Sequence, residues 1–433
     1  MDEKQEKKQG FNRFLGITFL IGFGFFTMGL MDPLYDTYIP MFLRRYIDSN
    51  TLIGGIMTLD NILQLGLIPF IAIWSDRTRT RIGRRMPFII VMLPIAAVLF
   101  RLIPSLAAIS LAALIGIIFF FNIFKTAVRG PVVALMPDSV PGNYRSEANG
   151  VINTMGGIGL IVSTLVLARF MDISQTLPFL IAAVCIVLAT LILFIFVKER
   201  PPAEDEKPEE REPVWVSLKR VFLNRENSPG KGRDATVPRI LFSLFFWFMA
   251  YEGVKPFLGL YLVESLGVSQ GNAALAQGIA GISSVMLAIP TGYWAHRFGR
   301  RNFIRLSLTG LALILFLIPL SGFFTMKLGL DLFYQLLFFF FLMFLYGAVW
   351  IGVVVNSFPM LWQMADYGNM GIYTGLYYTF SQSAAILAPP ITGAVIDLGG
   401  YPGIFVFGGI CMLAAWFIMG GVSAGEPTSG RPG

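Results

Sequence analysis

Apolar residues run along this chain in twelve stretches, at roughly 14–43, 52–75, 86–105, 108–137, 144–170, 176–198, 238–263, 270–296, 302–323, 331–363, 370–396 and 401–422. A helix rises 1.5 Å per residue, so about 20 apolar residues cross the hydrocarbon core of a bilayer. The pattern predicts an all-α membrane protein with twelve transmembrane helices. One sizeable polar interval, 199–237, interrupts the series and opens with "ERPPAEDEKPEEREP". Such a composition buries too little apolar surface to fold alone. It is therefore a cytoplasmic linker between an N-terminal half, 1–198, and a C-terminal half, 238–433, of six helices each. "VWVSLKRVFL" within it has the pattern of a short amphipathic helix.

Composition agrees. The 433 residues are 55% hydrophobic and 14% charged, against about 25% charged in a soluble domain. The first apolar run is too long for a signal-peptide core and has no small-residue cleavage site, so it is read as a retained helix. Cys185 and Cys411 sit far apart in apolar runs and are read as packing residues. His296 is the only histidine, and no Cys/His spacing suggests a metal. No cofactor is expected. The net charge of +7 is better explained by membrane orientation than by nucleic acid. Five arginines crowd the turn "WSDRTRTRIGRRMP", 74–87, and the basic linker and charged N-terminus fall on the same side. The positive-inside rule makes that side, and both termini, cytoplasmic.

The chain also repeats itself. "WSDR" at 74–77 returns as "WAHR" at 294–297, and "GRR" at 83–85 returns at 299–301. "PVVALMPD" at 131–138 corresponds to "PMLWQMAD" at 359–366. The offset of 220 places Asp32 over Glu252 and Tyr35 over Lys255. Ordered matches of near-constant offset mean two parallel six-helix repeats, the arrangement of the two halves in one large class of carriers.

"SDRTRTRIGRRMPFI" resembles the cytoplasmic signature of the major facilitator superfamily. Its extra residues between "DR" and "GRR", and "RGPVVALMPDSVP" with "RSEANG" across 129–150, resemble the sucrose/proton carriers and the glycoside–pentoside–hexuronide symporters. The resemblance implies the major facilitator fold. It also implies a gate in which Asp76 bonds to neighbouring arginines and to the other half when the carrier faces outward. The gating set it implies is Asp76, Arg77, Gly83, Arg84, Arg85, Asp138 and Arg145, with Arg297, Arg300, Arg301 and Asp366 in the second copy. His296 stands where a second Asp76 would be, so the second latch is expected to be weaker. The sucrose carriers place an Asp eleven residues before an Arg on the fourth helix; Asn122 and Val133 stand there instead, so sucrose itself is not expected.

Ionisable residues inside membrane helices are costly and mark candidate sites. Here they are Asp32, Asp36, Asp60, Arg101, Lys125, Arg129, Glu252 and Lys255. Arg101 lies near a helix end and is expected to snorkel. Asp32, Asp36, Asp60 and Glu252 are the coupling candidates, because a carboxylate can lose and regain a proton as its surroundings alternate between wet and dry. Lys125 and Arg129 share a helix face and need either carboxylates or an anionic guest. Arg129 is expected to face the central cavity. The substrate-binding candidates are Asn61, Asn122, Lys125, Arg129, Lys255, Trp350, Asn356 and Gln382. Pro33, in "MDP", is expected to break the first helix near mid-membrane. The plainer reading of the charges is a set of ion pairs that hold the bundle together.

Together these readings describe a secondary active transporter working by alternating access. Its substrate would be a small molecule, a sugar, glycoside or sugar acid, coupled to a proton or sodium ion. It would act as a monomer in the lipid bilayer of a bacterial inner membrane. The alternatives are a drug or lipid exporter on the same fold, and a carrier-like receptor. No phosphate loop, nucleophile elbow or metal motif points to an enzyme.

Overall fold

A computed structural model describes residues 3–141, 144–199, 236–327, 329, 331–363 and 370–422. The described residues form helices and no strand. The first six rods are α1 (Glu3–Arg44), α2 (Asn50–Arg77), α3 (Met86–Ala107), α4 (Leu111–Ser139), α5 (Glu147–Asp172) and α6 (Leu177–Phe196). The next six are α7 (Thr236–Ser265), α8 (Gln270–Phe298), α9 (Arg300–Lys327), α10 (Leu332–Trp362), α11 (Met370–Gly399) and α12 (Gly403–Met419). Ten of the twelve are long and apolar enough to cross a membrane by length and composition. The linker and its amphipathic stretch lie outside the described residues, except Glu199, Thr236 and Val237.

The chain divides into two compact units. The first holds 1–48, 56–208 and 262–278; the second holds 49–55, 209–261 and 279–433. In the first, α1 packs on α5 and α6, α3 on α4 and α6, and α2 on α4. In the second, α7 packs on α11 and α12, and α9 on α10 and α12. Four of the five pairings recur at equivalent positions in the second unit. The glycines that open the two GRR turns share one backbone state, with φ of 109° at Gly83 and 85° at Gly299. That left-handed state is costly for any residue with a Cβ.

Small residues let helices meet where lipid offers no hydrophobic drive for association. On the α1–α5 contact, a Cβ at Gly29 would lie 2.1 Å from the carbonyl oxygen of Gly156, and one at Gly159 would lie 2.4 Å from that of Phe26. On the α7–α11 contact, a Cβ at Gly253 would lie 2.4 Å from the hydroxyl of Thr392. Aromatic side chains fill the first unit: Phe100 lies 5.1 Å from Phe121 and 4.8 Å from Phe179 between ring centroids.

Two features differ from the sequence reading. α1 begins at Glu3, well before its apolar run, and continues through Pro33 and Pro40 without a break. Pro33 has no N–H to give the carbonyl of Gly29, yet the helix runs on; on the adjacent carbonyl, of Leu30, Ser163 of α5 donates at 2.9 Å. Contacts with neighbouring helices let a membrane helix carry a proline. α5, by contrast, changes winding: a π turn at Val162–Val166 leads into a 3-10 segment at Leu167–Asp172.

Gly29→Leu and Gly159→Leu should each lower the thermal unfolding temperature in detergent, since overpacking costs about 1–3 kcal/mol or more where backbone must move. Gly16→Leu, with nothing within 4 Å of its Cβ, should leave it unchanged. Equal behaviour of the three variants would contradict the close α1–α5 approach.

Candidate functional site

The first unit gathers most of the intramembrane charge around one lysine. Lys125 projects from α4 between α1 and α2. Its Nζ lies 2.8 Å from Asp32 Oδ1 and 3.7 Å from Asp60 Oδ2, and the lysine side chain is 7% exposed. The ammonium also sits 4.7 Å from the Tyr35 ring centroid and 5.9 Å from that of Phe121. Both rings add cation–π attraction where little water competes. Asn122, one turn earlier on α4, donates from Nδ2 to Tyr35 Oη at 2.8 Å. It thereby fixes the ring against which the lysine rests.

Asp36 is buried one turn beyond Asp32 on the same helix. Two carboxylates therefore pair with one cation and a third lies a turn away, which leaves negative charge in excess if all are ionised. In a region of low dielectric that excess is costly. Taking up a proton or a cationic guest relieves it. No group of three or more His, Cys, Asp or Glu among the described residues converges as metal ligands do.

Of the other candidates, Arg129 is half-buried and forms no hydrogen bond or ion pair among the described residues. Asp32 of α1 and Asp60 of α2 pair with Lys125. Asn61 and Gln382 are half-buried on α2 and α11. In the second unit, Lys255 pairs with Glu252 on its own helix at 4.0 Å. Trp350 lies flat on Tyr251, with centroids 4.5 Å apart and rings parallel, and Tyr346 continues the stack at 6.5 Å. Asn356 donates to the carbonyl of Gly352 on its own helix at 2.8 Å. Tyr251 and Tyr35 were not singled out as site residues by the sequence; each lies next to or near a charged candidate on its helix, which is the signal that could have found it.

The arginine-rich turn splits into two classes. Arg77, Arg79 and Arg81 are exposed. Arg84 and Arg85 are tied down. Arg84 binds Asp138 through two nitrogens, at 3.1 and 2.7 Å. Arg85, buried, reaches Asp138 at 2.9 Å, Ser75 Oγ at 2.6 Å and Asp76. Glu199, which the sequence reading left in the linker, accepts from the backbone N–H of Arg85 at 2.9 Å and of Met86 at 3.1 Å. It caps the start of α3, where unsatisfied N–H groups favour a carboxylate. All these partners lie in the first unit. Arg145 donates to the carbonyls of Val140 and Pro137.

His296 and Arg297 are exposed, Arg297 lies over Phe298 at 5.9 Å, and Arg300 is half-buried. Arg301 donates to the carbonyl of Gly420 at the end of α12 at 2.5 Å. Asp366 lies outside the described residues.

Comparison with known proteins agrees with this architecture. A stretch of 224 residues, 46% of this chain and 39% of the relative, is 27% identical to the general alpha-glucoside permease of Schizosaccharomyces pombe. A stretch of 204 residues, 46% of this chain and 47% of the relative, is 28% identical to the class D tetracycline resistance protein of Salmonella ordonez. The chain thus spans less than half the length of either curated relative. Among solved structures, a nucleoside transporter superposes with a TM-score of 0.73 at 13% identity, covering 94% of this chain and 100% of that one. A D-xylose–proton symporter gives 0.67 at 13% identity, covering 94% and 98%. At such identities the likeness is one of fold. The family model described as Major Facilitator Superfamily matches residues 17–389, and this chain belongs to that superfamily of integral membrane proteins.

Proposed function

We propose that this transporter is a proton-coupled symporter of a neutral sugar or glycoside. The observation that carries the reading is the buried Lys125 paired with Asp32 and Asp60, with Asp36 buried one turn from Asp32. Lys125 has carboxylates in hand, so it does not call for an anionic guest, and the negative excess argues against a sugar acid. A proton taken up by one carboxylate relieves that excess and weakens its hold on the lysine. Losing the proton restores both. This gives an ion-driven exchange of partners within one bundle. The similarity to an alpha-glucoside permease supports a glycoside as cargo. A second reading has its own support: negative excess and the Tyr346–Trp350–Tyr251 stack would also suit efflux of a cationic drug, and one relative is a tetracycline resistance protein.

The cytoplasmic turn is its gate in this reading. Arg85 holds Asp76, Ser75 and Asp138 together, so the inner ends of α2, α3 and α4 move as one piece. The exposed arginines orient the chain with both termini in the cytoplasm of a bacterial cell, and the protein acts as a monomer.

Purified protein in liposomes should accumulate labelled neutral glycosides when an inward proton gradient is imposed, and not hexuronates. Accumulation driven by sodium alone, or of an acidic sugar, would remove this assignment; proton-driven expulsion of a cationic dye would select the exporter. Asp32→Asn and Asp60→Asn should keep substrate exchange at equal concentrations but lose accumulation driven by pH, because an amide keeps the shape and releases no proton. If every carboxylate variant, Asp36→Asn and Glu252→Gln included, still accumulates, proton coupling does not run through these groups. Lys125→Met should abolish transport and lower stability by about 3–5 kcal/mol, the usual cost of stripping one partner from a buried pair.

For the gate, Arg85→Gln should lower the unfolding temperature, and Asp76→Asn should raise labelling of introduced cysteines from the cytoplasmic side by roughly fivefold or more. Arg79→Gln should do neither. Equal results for Arg79 and Arg85 would reduce the turn to an orienting charge cluster.

A further inference from the structure

The ends of α2 and α8 away from the arginine turns carry a second device, made twice. Asp172, the last residue of α5, accepts hydrogen bonds from Ser269 Oγ and from the Gly271 N–H, each at 2.8 Å. Ser269 and Gly271 open α8, a helix of the other sequence repeat. Asp397, near the end of α11, does the same for α2. It accepts from Ser49 Oγ at 2.9 Å, the Asn50 N–H at 2.7 Å, Asn50 Nδ2 at 2.9 Å, the Thr51 N–H at 3.0 Å and Thr51 Oγ1 at 2.7 Å. Ser49 and Ser269 are 220 positions apart, and Asp172 and Asp397 are 225 apart. Those offsets match the repeat found in the cytoplasmic turns. One arrangement therefore exists in two copies, each joining the fifth helix of one repeat to the second helix of the other.

The caps are unusual in where the acceptor comes from. A helix start leaves N–H groups without partners, and a residue just before the helix ordinarily supplies one. Ser269 occupies that position in an extended conformation, yet makes no side-chain cap to its own helix; its hydroxyl turns to Asp172 instead. Each start of α2 and α8 is thus completed by a carboxylate carried on a helix of the opposite repeat. If the repeats part on that side, both the carboxylate and the helix start lose their partners together.

Close backbone contact accompanies each cap. A Cβ at Gly271 would lie 2.4 Å from Asp172 Oδ2, and one at Gly278 would lie 2.5 Å from Thr164 Oγ1. A Cβ at Gly54 would lie 2.2 Å from the Pro389 carbonyl oxygen, and one at Gly393 would lie 2.2 Å from that of Asn50. Around the Asp172 cap, Tyr38 Oη donates to the Gln270 carbonyl at 2.9 Å and Gln175 Nε2 to Gln270 Oε1 at 3.0 Å. These are charge-assisted and neutral hydrogen bonds between groups that water can also satisfy. Asp172 and Asp397 are both exposed, so parting them costs little more than the lost geometry, as a reversible latch requires.

We propose that Asp172 and Asp397 are paired outer latches, closed in this conformation and released when the transporter opens to the outside. The two are not equal. Asp397 holds three consecutive residues through five bonds, whereas Asp172 holds two residues through two, so Asp397 is the stronger latch. The inference rests on the transporter assignment, but not on the coupling ion or the substrate.

The test is accessibility from outside. A cysteine in place of Gln277, in a Cys185→Ser, Cys411→Ser background, is labelled with a membrane-impermeant maleimide added to the outer face of intact cells. Asp397→Asn should raise the labelling rate by roughly fivefold or more, in the range of coupling between two-state elements. Asp172→Asn should raise it less, and the double variant most. Asp397→Glu, which keeps the charge, should recover part of the original rate. Should the amide variants fail to reach the membrane, Ser49→Ala with Thr51→Val removes hydroxyl donors, leaves the carboxylate and both backbone bonds, and should shift the rate in the same direction. Labelling that stays at the parent rate, with or without a lower unfolding temperature, would make the caps mere helix ends and overturn the proposal. Transport assays on the same variants separate this outcome from failure of the functional reading: loss of proton drive with unlatched labelling would spare the latch.

Discussion

An ammonium group inside a membrane needs negative partners, and the first unit is arranged around that need. Lys125 reaches Asp32 at 2.8 Å and Asp60 at 3.7 Å, so α4, α1 and α2 are each committed by one charged side chain. Tyr35 and Asn122 then have to stand where they do, as a ring under the cation and a clamp on the ring. The glycine contact of α1 on α5 brings α1 close enough to the bundle for its aspartates to be enclosed. Removing the charge from either side would leave the other stranded in low dielectric, the costliest error such a bundle can contain.

The second unit repeats the packing without repeating the chemistry. Glu252 stands over Asp32 and Lys255 over Tyr35 in the repeat, yet the two pair with each other along one helix. Around them, Tyr251, Trp350 and Tyr346 form a stacked aromatic wall. One bundle thus holds charge and the other ring surface. A duplicated fold keeps its helix contacts because those are set by small residues and shape. Its polar positions are free to diverge, because few of them are needed for the packing.

The same division runs through the two cytoplasmic turns. Gly83 and Gly299 share the left-handed backbone that the turn requires. Arg85 is enclosed by Asp76, Asp138 and Ser75, and Arg301 donates to the carbonyl of Gly420, just past α12. His296, at the position of Asp76 in the second copy, is exposed. That Glu199 caps α3 was not legible in the sequence, because its place beside the Pro- and Glu-rich run made it look like linker.

What the sequence by itself determined is what local burial dictates. Runs of apolar residues can only be membrane helices, and the repeat offset can only mean two related halves. Pro33 leaves α1 unbroken, which its local pattern does not reveal, because whether a proline breaks a membrane helix depends on the helices packed around it. Candidate intramembrane charges were also legible from sequence, since each is costly wherever it points. The tertiary structure alone decided their partners: Lys125 took the carboxylates and Arg129 did not, although both share a face of α4. It also spent Asn356 on its own helix and placed Asp172 and Asp397 on helix starts far away in sequence. Hydropathy is a property of each segment, whereas an ion pair or a borrowed cap exists only once two helices have met at a particular height and rotation.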